Sequence, residues 1–411
     1  MRTEAERTEE DAASPVALLG TNQAGMRAQN ERLVLGLVRR RGPLAKTEIA
    51  RLTGLSAQTV SVIMRKLEAD RLLRRGEPQR GRVGQPSVPL ALDPEGAFFL
   101  GAKIGRRSLD VVAVDFAGAI RARIVEAYPY PAPDATLRRI EAAAAACATA
   151  LGSGAGRIAG LGLAMPFALW DWAEEFGAPA GEMAAWRAVD LRAALAARLP
   201  WPVYLQNDAT AACGAELAFG AGAAFEDFLY FHVGAFIGGG LVLGGGLYAG
   251  RTGNAAALGS MPVRGPDGGI AQLIDVASLV ALERRLAAAG RSAAGLYDPD
   301  ADWSLFEPEL STWIGAAAPA IAEAVAAAAA VIDIEAVLID GAFPREVLAR
   351  LVAAVEAGLG GLDLSGIEPP AIRAGALGAV ARALGGASLP LFDRYLPDLH
   401  ARAGAGGRGG A

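Results

Sequence analysis

Asn207 and Asp208 form an adjacent pair with the chemistry to hold a polyol. They end the short strand segment Val203–Gln206 and open an Ala-rich helix. An amide beside a carboxylate offers donors and acceptors for sugar hydroxyls in a cleft. The same pair at a strand–helix junction also reads as a cap and turn, and the residues alone leave both readings standing. Trp170, Trp172 and Trp186 lie in the irregular aromatic segment after Met165-Pro166. They offer faces for a sugar ring, or a satellite core beneath the loop. His232 sits inside a strand and reads as a core histidine; His400, near the end of the chain, carries no reading. Cys213 reads as a buried, inert thiol. Gly238–Gly240 reads as a Gly-rich turn, either an anion cradle or a structural turn. The chain's 2 cysteines, Cys147 and Cys213, suggest neither a disulfide framework nor a zinc site. No metal or cofactor is expected.

A second set of residues suits nucleic acid. Gln58, Thr59 and Ser61 would face bases or phosphates, with Arg65 and Lys66 on the phosphate backbone. Arg80 and Arg82 would reach the adjacent minor groove. The elements that must position them are legible. Lys46–Thr53 reads as a helix with Ile49 and Leu52 inward, and Gly54 as its joint. Ser56 suits the N-cap of a second helix ending near Asp70, about 22 Å long, the size of a major-groove reader. In that helix Val60, Ile63, Met64 and Leu67 form one apolar stripe. Upstream, Asn30–Arg41 reads as a helix with Leu33, Val34, Leu37 and Val38 on its apolar side. Downstream, Leu72–Leu92 reads as two short strands around a Gly/Pro-rich tip that carries Arg80 and Arg82. A helical hairpin with a solvated basic face is the plain reading of the middle stretch. Three helices followed by a basic hairpin make a winged helix-turn-helix. Ala45 departs from that pattern, because it stands where a capping Ser or Thr is wanted, at a cost of about 1 kcal/mol.

The charge distribution agrees with a separate reader. Met26–Leu92 holds fourteen basic residues against five acidic ones, a net of +9, inside a chain whose net charge is −5. A basic module on an acidic body is the footprint of a nucleic-acid reader with a sensing part, and the basic module implies salt-dependent phosphate attraction. The length of 411 residues allows two or three domains. The Ala-rich runs read as packed helices rather than membrane spans. The acidic, polar start is unlike a signal peptide, so a cytoplasmic, nucleoid-associated location is expected, with no membrane partner.

Along the chain, residues 1–23 read as a disordered arm, 24–92 as the winged module and 93–225 as a first lobe. Residues 226–398 read as a second lobe whose last helices pack back on the first, and 399–411 as a disordered tail. The first lobe opens with a β-meander from Phe98. A helix Ala135–Leu151 follows, then a buried strand Ile158–Ala164, a helix Arg192–Arg198, a strand Val203–Gln206 and a helix Ala209–Phe219. A second meander starts at Asp227. A loop Arg251–Gly268 leads to several long helices, then come strands at Ala336–Ile339 and Ile372–Ala374, and a helix Gly375–Leu384. Two meander-plus-helix halves suggest a duplication with a cleft between lobes, the two-lobed actin-like ATPase (ribonuclease H-like) α/β fold.

With a winged helix-turn-helix in front, the chain resembles the ROK family (repressors, open reading frames, kinases) over roughly residues 25–395. The tokens are LQNDATAACGAE at Leu205–Glu216, VGAFIGGGLVLGGGLYAG at Val233–Gly250, GNAAALGSMPV at Gly253–Val263 and GLGLAMPF at Gly160–Phe167. In the family's sugar kinases an Asp-x-Gly-x-Thr loop holds phosphate and magnesium, and the Asn-Asp pair binds sugar with Asp as general base. A Glu-x-Gly-His loop and a Cys cluster supply further contacts and a zinc. In this chain Lys103 stands at the acidic position of the first loop and Arg106 and Arg107 at small ones. Ala257 replaces the Glu, Ser260 replaces the His, and the Cys cluster is missing. The resemblance therefore implies a transcriptional regulator of repressor type without kinase activity. It would bind a palindromic operator as a homodimer or homotetramer. Its body would sense a sugar or polyol through Asn207 and Asp208, with Trp170 and Trp172 stacking. The alternative is a sugar kinase, acting on a hexose or amino sugar, with an accessory DNA-binding domain.

Overall fold

The computed structural model describes residues 23–77, 88–167, 169–172, 178–298 and 300–397. The arm before Gln23, the wing tip with Arg80 and Arg82, and the tail from Asp398 lie outside these residues.

The front of the chain folds as α1 (Gln23–Arg41), α2 (Lys46–Thr53) and α3 (Ala57–Ala69), then β1 (Leu73–Arg75) paired antiparallel with β2 (Leu90–Leu92). Gly54 closes α2 at φ +69°, donating its N–H to the Ala50 carbonyl. The Ser56 hydroxyl accepts the Thr59 N–H at 3.1 Å and starts α3, while Ala45 gives α2 no side-chain cap. Val60, Ile63, Met64 and Leu67 are all buried. Two expected core residues are not. Leu33 is 38% exposed because the inner face of α1 centres on Val34, Leu35 and Val38, which turns Leu33 toward a cavity beside the body. Leu52, also 38% exposed, lies about 60° around the helix from Ile49 and misses the core. α1 begins at Gln23 rather than Asn30.

Lobe 1 contains β3 (Phe98–Ile104), β4 (Ser108–Asp115), β5 (Ile120–Ala127), α4 (Pro133–Ala150), β6 (Ile158–Met165), α5 (Ala180–Ala184), α6 (Leu191–Ala196) and β7 (Val203–Asn207). α7 (Asp208–Phe219) leads to lobe 2, which has β8 (Phe228–Val233), β9 (Ile237–Leu243), β10 (Gly246–Leu247), β11 (Pro262–Arg264), β12 (Ile270–Gln272), α8 (Leu273–Ala277), α9 (Leu279–Ala288), α10 (Glu309–Ala329), β13 (Ala336–Gly341), α11 (Arg345–Gly360), β14 (Ala371–Ala374) and α12 (Ala381–Tyr395). The two large sheets share one plan. Strands run β5-β4-β3-β6-β7 in the first and β10-β9-β8-β13-β14 in the second. In each, an antiparallel meander is extended by two strands parallel to its first. The body is the two-lobed actin-like fold behind a winged helix.

Three details differ from expectation. The segment 251–268 is not all loop, since β11 pairs with β12. Among the described helices between Leu273 and Ala329 only α10 is long. Its length and apolarity would suffice for a membrane span, yet Trp313, Ile321 and Val325 are buried in the core of lobe 2. The last helix starts at Ala381 and runs to Tyr395, past Pro390.

α12 returns to lobe 1 and lies between its sheet and α7. Small residues allow this. β6 alternates, with Leu161 and Leu163 packed in the core beneath α4 and Gly160 and Gly162 facing α12. A Cβ placed on Gly162 would stand 1.9 Å from the Gly386 carbonyl oxygen, and one on Gly101 2.1 Å from that of Ala383. Pro390 lacks the N–H that would bond Gly386 within the helix, leaving that carbonyl free to approach Gly162.

The reader is fastened to the body. Arg39 of α1 donates to the Phe116 carbonyl, and its guanidinium lies 5.3 Å from the Phe116 ring and 5.6 Å from that of Phe219. Burial lowers it to about 10, with Asp115 acting in the other direction. Arg40 donates to the carbonyls of Ala223 and Phe225. From the body, Arg157 donates to the Asp70 carbonyl at 2.8 Å, at the end of α3.

Candidate functional site

On the reader, α3 presents Gln58, Arg65 and Lys66 exposed, with Thr59 and Ser61 half-buried. Gln58 is exposed and makes no side-chain hydrogen bond among the described residues. The Thr59 hydroxyl lies 2.8 Å from that of Ser56 and belongs to the cap. Arg65 folds back to the Ser61 carbonyl at 3.1 Å. Lys66 is engaged with Asp70 at 2.9 Å and Glu31 at 3.0 Å, and these two carboxylates raise its pKa. It is therefore less available to a phosphate than its position suggested. Sequence reasoning missed Val62, which is 46% exposed on this helix. An outward valine on a reading helix suits a thymine methyl. Its signal was an apolar residue off the inward stripe.

In the body, Asn207 Oδ1 accepts the N–H groups of Ala209 at 3.0 Å and Thr210 at 3.2 Å. The cap is therefore real, and the residue also lines a cavity of about 1360 Å³ between α1, lobe 1 and the β9–β10 hairpin. Met165, Phe167, Trp170 and Gln206 line it too. Trp170 is half-buried and Phe167 is 58% exposed. Trp172 ends the same short turn as Trp170, and its side chain lies outside the described part of the structure. Trp186 is in the core beneath, 2% exposed, donating its indole N–H to the Pro131 carbonyl at 2.7 Å.

Asp208, at the start of α7, is not brought to the cavity wall with Asn207. Its carboxylate accepts from Arg382 of α12 at 3.2 Å, both side chains being largely buried. Lys103 of β3 donates to the Ser108 hydroxyl at 3.0 Å. Burial, then the nearby Arg382 guanidinium, pulls its pKa down to about 7. Arg106 faces Glu283 at 3.8 Å and lies 5.5 Å from the Tyr297 ring, while Arg107 is exposed. Ala257 and Ser260, flanking the turn after Ala256, are exposed. His232 is buried on β8, its Nδ1 3.0 Å from the Tyr230 hydroxyl. Burial keeps it well below the usual histidine range, and the charges of Arg382 and Lys103 add to this. Cys213 is buried, and burial pushes its thiol up. Gly238–Gly240 are strand residues of β9, not a turn. A Cβ on Gly240 would meet that of Cys213 at 2.3 Å, so here glycine serves close packing of β9 on α7. Arg382 was not anticipated. Its partner is 174 residues away, and a lone arginine in a helix carries no local signal of that pairing.

Residues 99–359 match the model of the ROK family, and residues 25–82 that of the MarR family. The chain is 26% identical to an uncharacterized protein, y4fQ, of Sinorhizobium fredii, over 92% of this chain and 94% of that protein. It is 21% identical to the xylose repressor of Bacillus subtilis, over 59% of this chain and 62% of the repressor. Among solved structures, a ROK family transcriptional regulator described as a homolog of the E. coli MLC protein superposes with a TM-score of 0.66 at 18% identity, covering 92% of this chain and 99% of that one.

Proposed function

This chain belongs to the ROK family, and from that premise we propose that it is a sequence-specific DNA-binding transcriptional regulator of repressor type whose body senses a sugar or sugar derivative. The observation that carries the reading is the MarR-type winged helix joined to a ROK body within one chain. Residues 24–92 form the reader, 93–225 lobe 1, and 226–398 lobe 2, with α12 crossing back. Gln58, Thr59 and Ser61 meet bases or phosphates, Arg65 and, once released from Glu31 and Asp70, Lys66 the phosphate backbone, and Arg80 and Arg82 the minor groove. Two copies address a palindrome. The effector enters the cavity beside Asn207 and Trp170, and the name of the Bacillus subtilis relative supports a sugar there. A ligand changes DNA binding only by preferring one lobe arrangement over another.

The body carries out no phosphoryl transfer in this reading. Asp208, the candidate base, is occupied by Arg382, and Lys103 stands where a metal-ordering carboxylate would be needed. Purified protein given ATP and a panel of hexoses and amino sugars is expected to show no turnover. Turnover abolished by Asp208→Asn would establish the kinase alternative instead.

The groove assignment is tested on an operator selected from random duplexes. Gln58→Ala is expected to cost about 1–3 kcal/mol and relax specificity at one position, while Arg82→Ala weakens binding across sequences and lowers the salt slope by about one. Gel shifts unchanged by both substitutions would refute the assignment.

A further inference from the structure

The centre of the interlobe cleft holds more positive charge than its carboxylates can match. Lys103 comes from β3 of lobe 1, His232 from β8 of lobe 2, Asp208 from the start of α7 and Arg382 from the start of α12. Arg382 gives one nitrogen to Asp208 at 3.2 Å, while its Nε is buried without a partner among the described residues. Asp110, behind Lys103, is already bound by both Nε and Nη2 of Arg123, at 3.0 and 2.8 Å. Among the described residues Lys103 thus has the Ser108 hydroxyl as its hydrogen-bond partner, and a largely enclosed cation without an anion of its own is costly.

His232 adds a donor. The fully buried Tyr230 hydroxyl has the His232 Nδ1 as its hydrogen-bond partner. A buried hydroxyl with one partner that can accept donates to it, so the imidazole proton resides on Nε2. That atom is buried and has no partner among the described residues. A Cβ at Gly234 would lie 3.5 Å from the Phe236 carbonyl oxygen, 3.7 Å from His232 Cδ2 and 3.8 Å from Arg382 Nη1. The imidazole edge, the guanidinium and the Phe236 carbonyl oxygen therefore surround one point at Gly234 that no side chain of that residue fills.

We propose that this point receives the anionic group, a phosphate monoester or carboxylate, of a charged sugar derivative, held by Lys103, Arg382 and the His232 Nε2–H, with the sugar's hydroxyls directed to the cavity beside Asn207. This deepens the effector reading above and rests on it. A magnesium triphosphate does not suit the same point, because both nearby carboxylates, Asp208 and Asp110, are engaged by guanidinium groups.

The test uses the full chain, with calorimetric titration of hexose 6-phosphates, hexuronates and aldonates, each against its neutral parent sugar. Charged members are expected to bind at least tenfold more tightly than their parents, and Lys103→Met or Arg382→Gln to remove that advantage. Asp208→Asn with Arg382→Gln keeps the site neutral if the single variant folds poorly. For the carboxylate probes, affinity should fall as pH rises from 6 to 8.5, because Lys103 releases its proton near 7 in the free protein. The charged and polar groups facing Lys103 are Ser108, Asp110, Arg123, Asp208, His232 and Arg382. Lys103→Met should abolish that dependence. Equal binding of charged and neutral sugars would overturn this inference and leave sugar sensing intact. Inorganic phosphate binding as tightly as the sugar phosphates would also overturn it. Silence toward every sugar, in protein that still retards its operator, would overturn both readings.

Discussion

Gly162→Ala is expected to destabilise the protein by about 3 kcal/mol or more, a large share of the stability of an ordinary domain. The added carbon would stand 1.9 Å from a backbone oxygen, that of Gly386. A backbone atom cannot rotate aside as a side-chain tip can, so α12 must move as a unit. It has nowhere to go. A Cβ on Gly385, on its other face, would lie 2.3 Å from the Ala211 carbonyl of α7. Urea unfolding followed by circular dichroism measures the loss. Gly156→Ala is the control, since nothing lies near its Cβ position. Equal midpoints for the two variants would show that the helix is not clamped as described.

The second large effect concerns Asp340, fully buried at the end of β13. Its carboxylate accepts the N–H groups of Gly341 at 2.9 Å and Gly378 at 2.8 Å. Burial, and then the charge of Glu216 on α7, push it up to about 7. Glu216 in turn accepts from Ala221, Ala376 and Leu377. The folded pKa of Asp340 exceeds the unfolded value near 3.9. Its contribution to stability is therefore complete below about pH 4 and lost as pH rises through 7. The size is on the order of 4 kcal/mol. His232 and Lys103 are both pushed down and give slopes of the opposite sign. The quantity to measure is thus the stability of Asp340→Asn minus that of the unsubstituted chain, in which those slopes cancel. It should rise steadily from pH 4.5 to 7.5. A flat difference would mean that Asp340 stays ionised throughout.

What could be read from the sequence divides along physical lines. The Ser56 cap, the Gly54 joint and the stripe Val60–Leu67 are set by neighbours within a few turns, so local patterns find them. The meanders carry their own turn residues, and the duplication appears as the same order written twice. Leu33 and Leu52 were misplaced because a helical period fixes spacing but not which flank of a broad apolar face meets the body. Gly238–Gly240 looked like a turn because glycine marks both bends and close approaches, and only the partner, Cys213, distinguishes them. The ion pair that engages Asp208 joins elements brought together by the return of α12, which no window around either residue contains.

The contacts of Arg39, Arg40 and Arg157 have a mechanical consequence. Three arginines spanning the junction mean that the reader hangs on no loose tether and has no wrist of its own. It cannot swivel to accommodate a poorly spaced site, so a change in its bearing must be carried by the body as a whole. A small tilt between lobes, harmless in an enzyme, becomes a lever whose far end is α3.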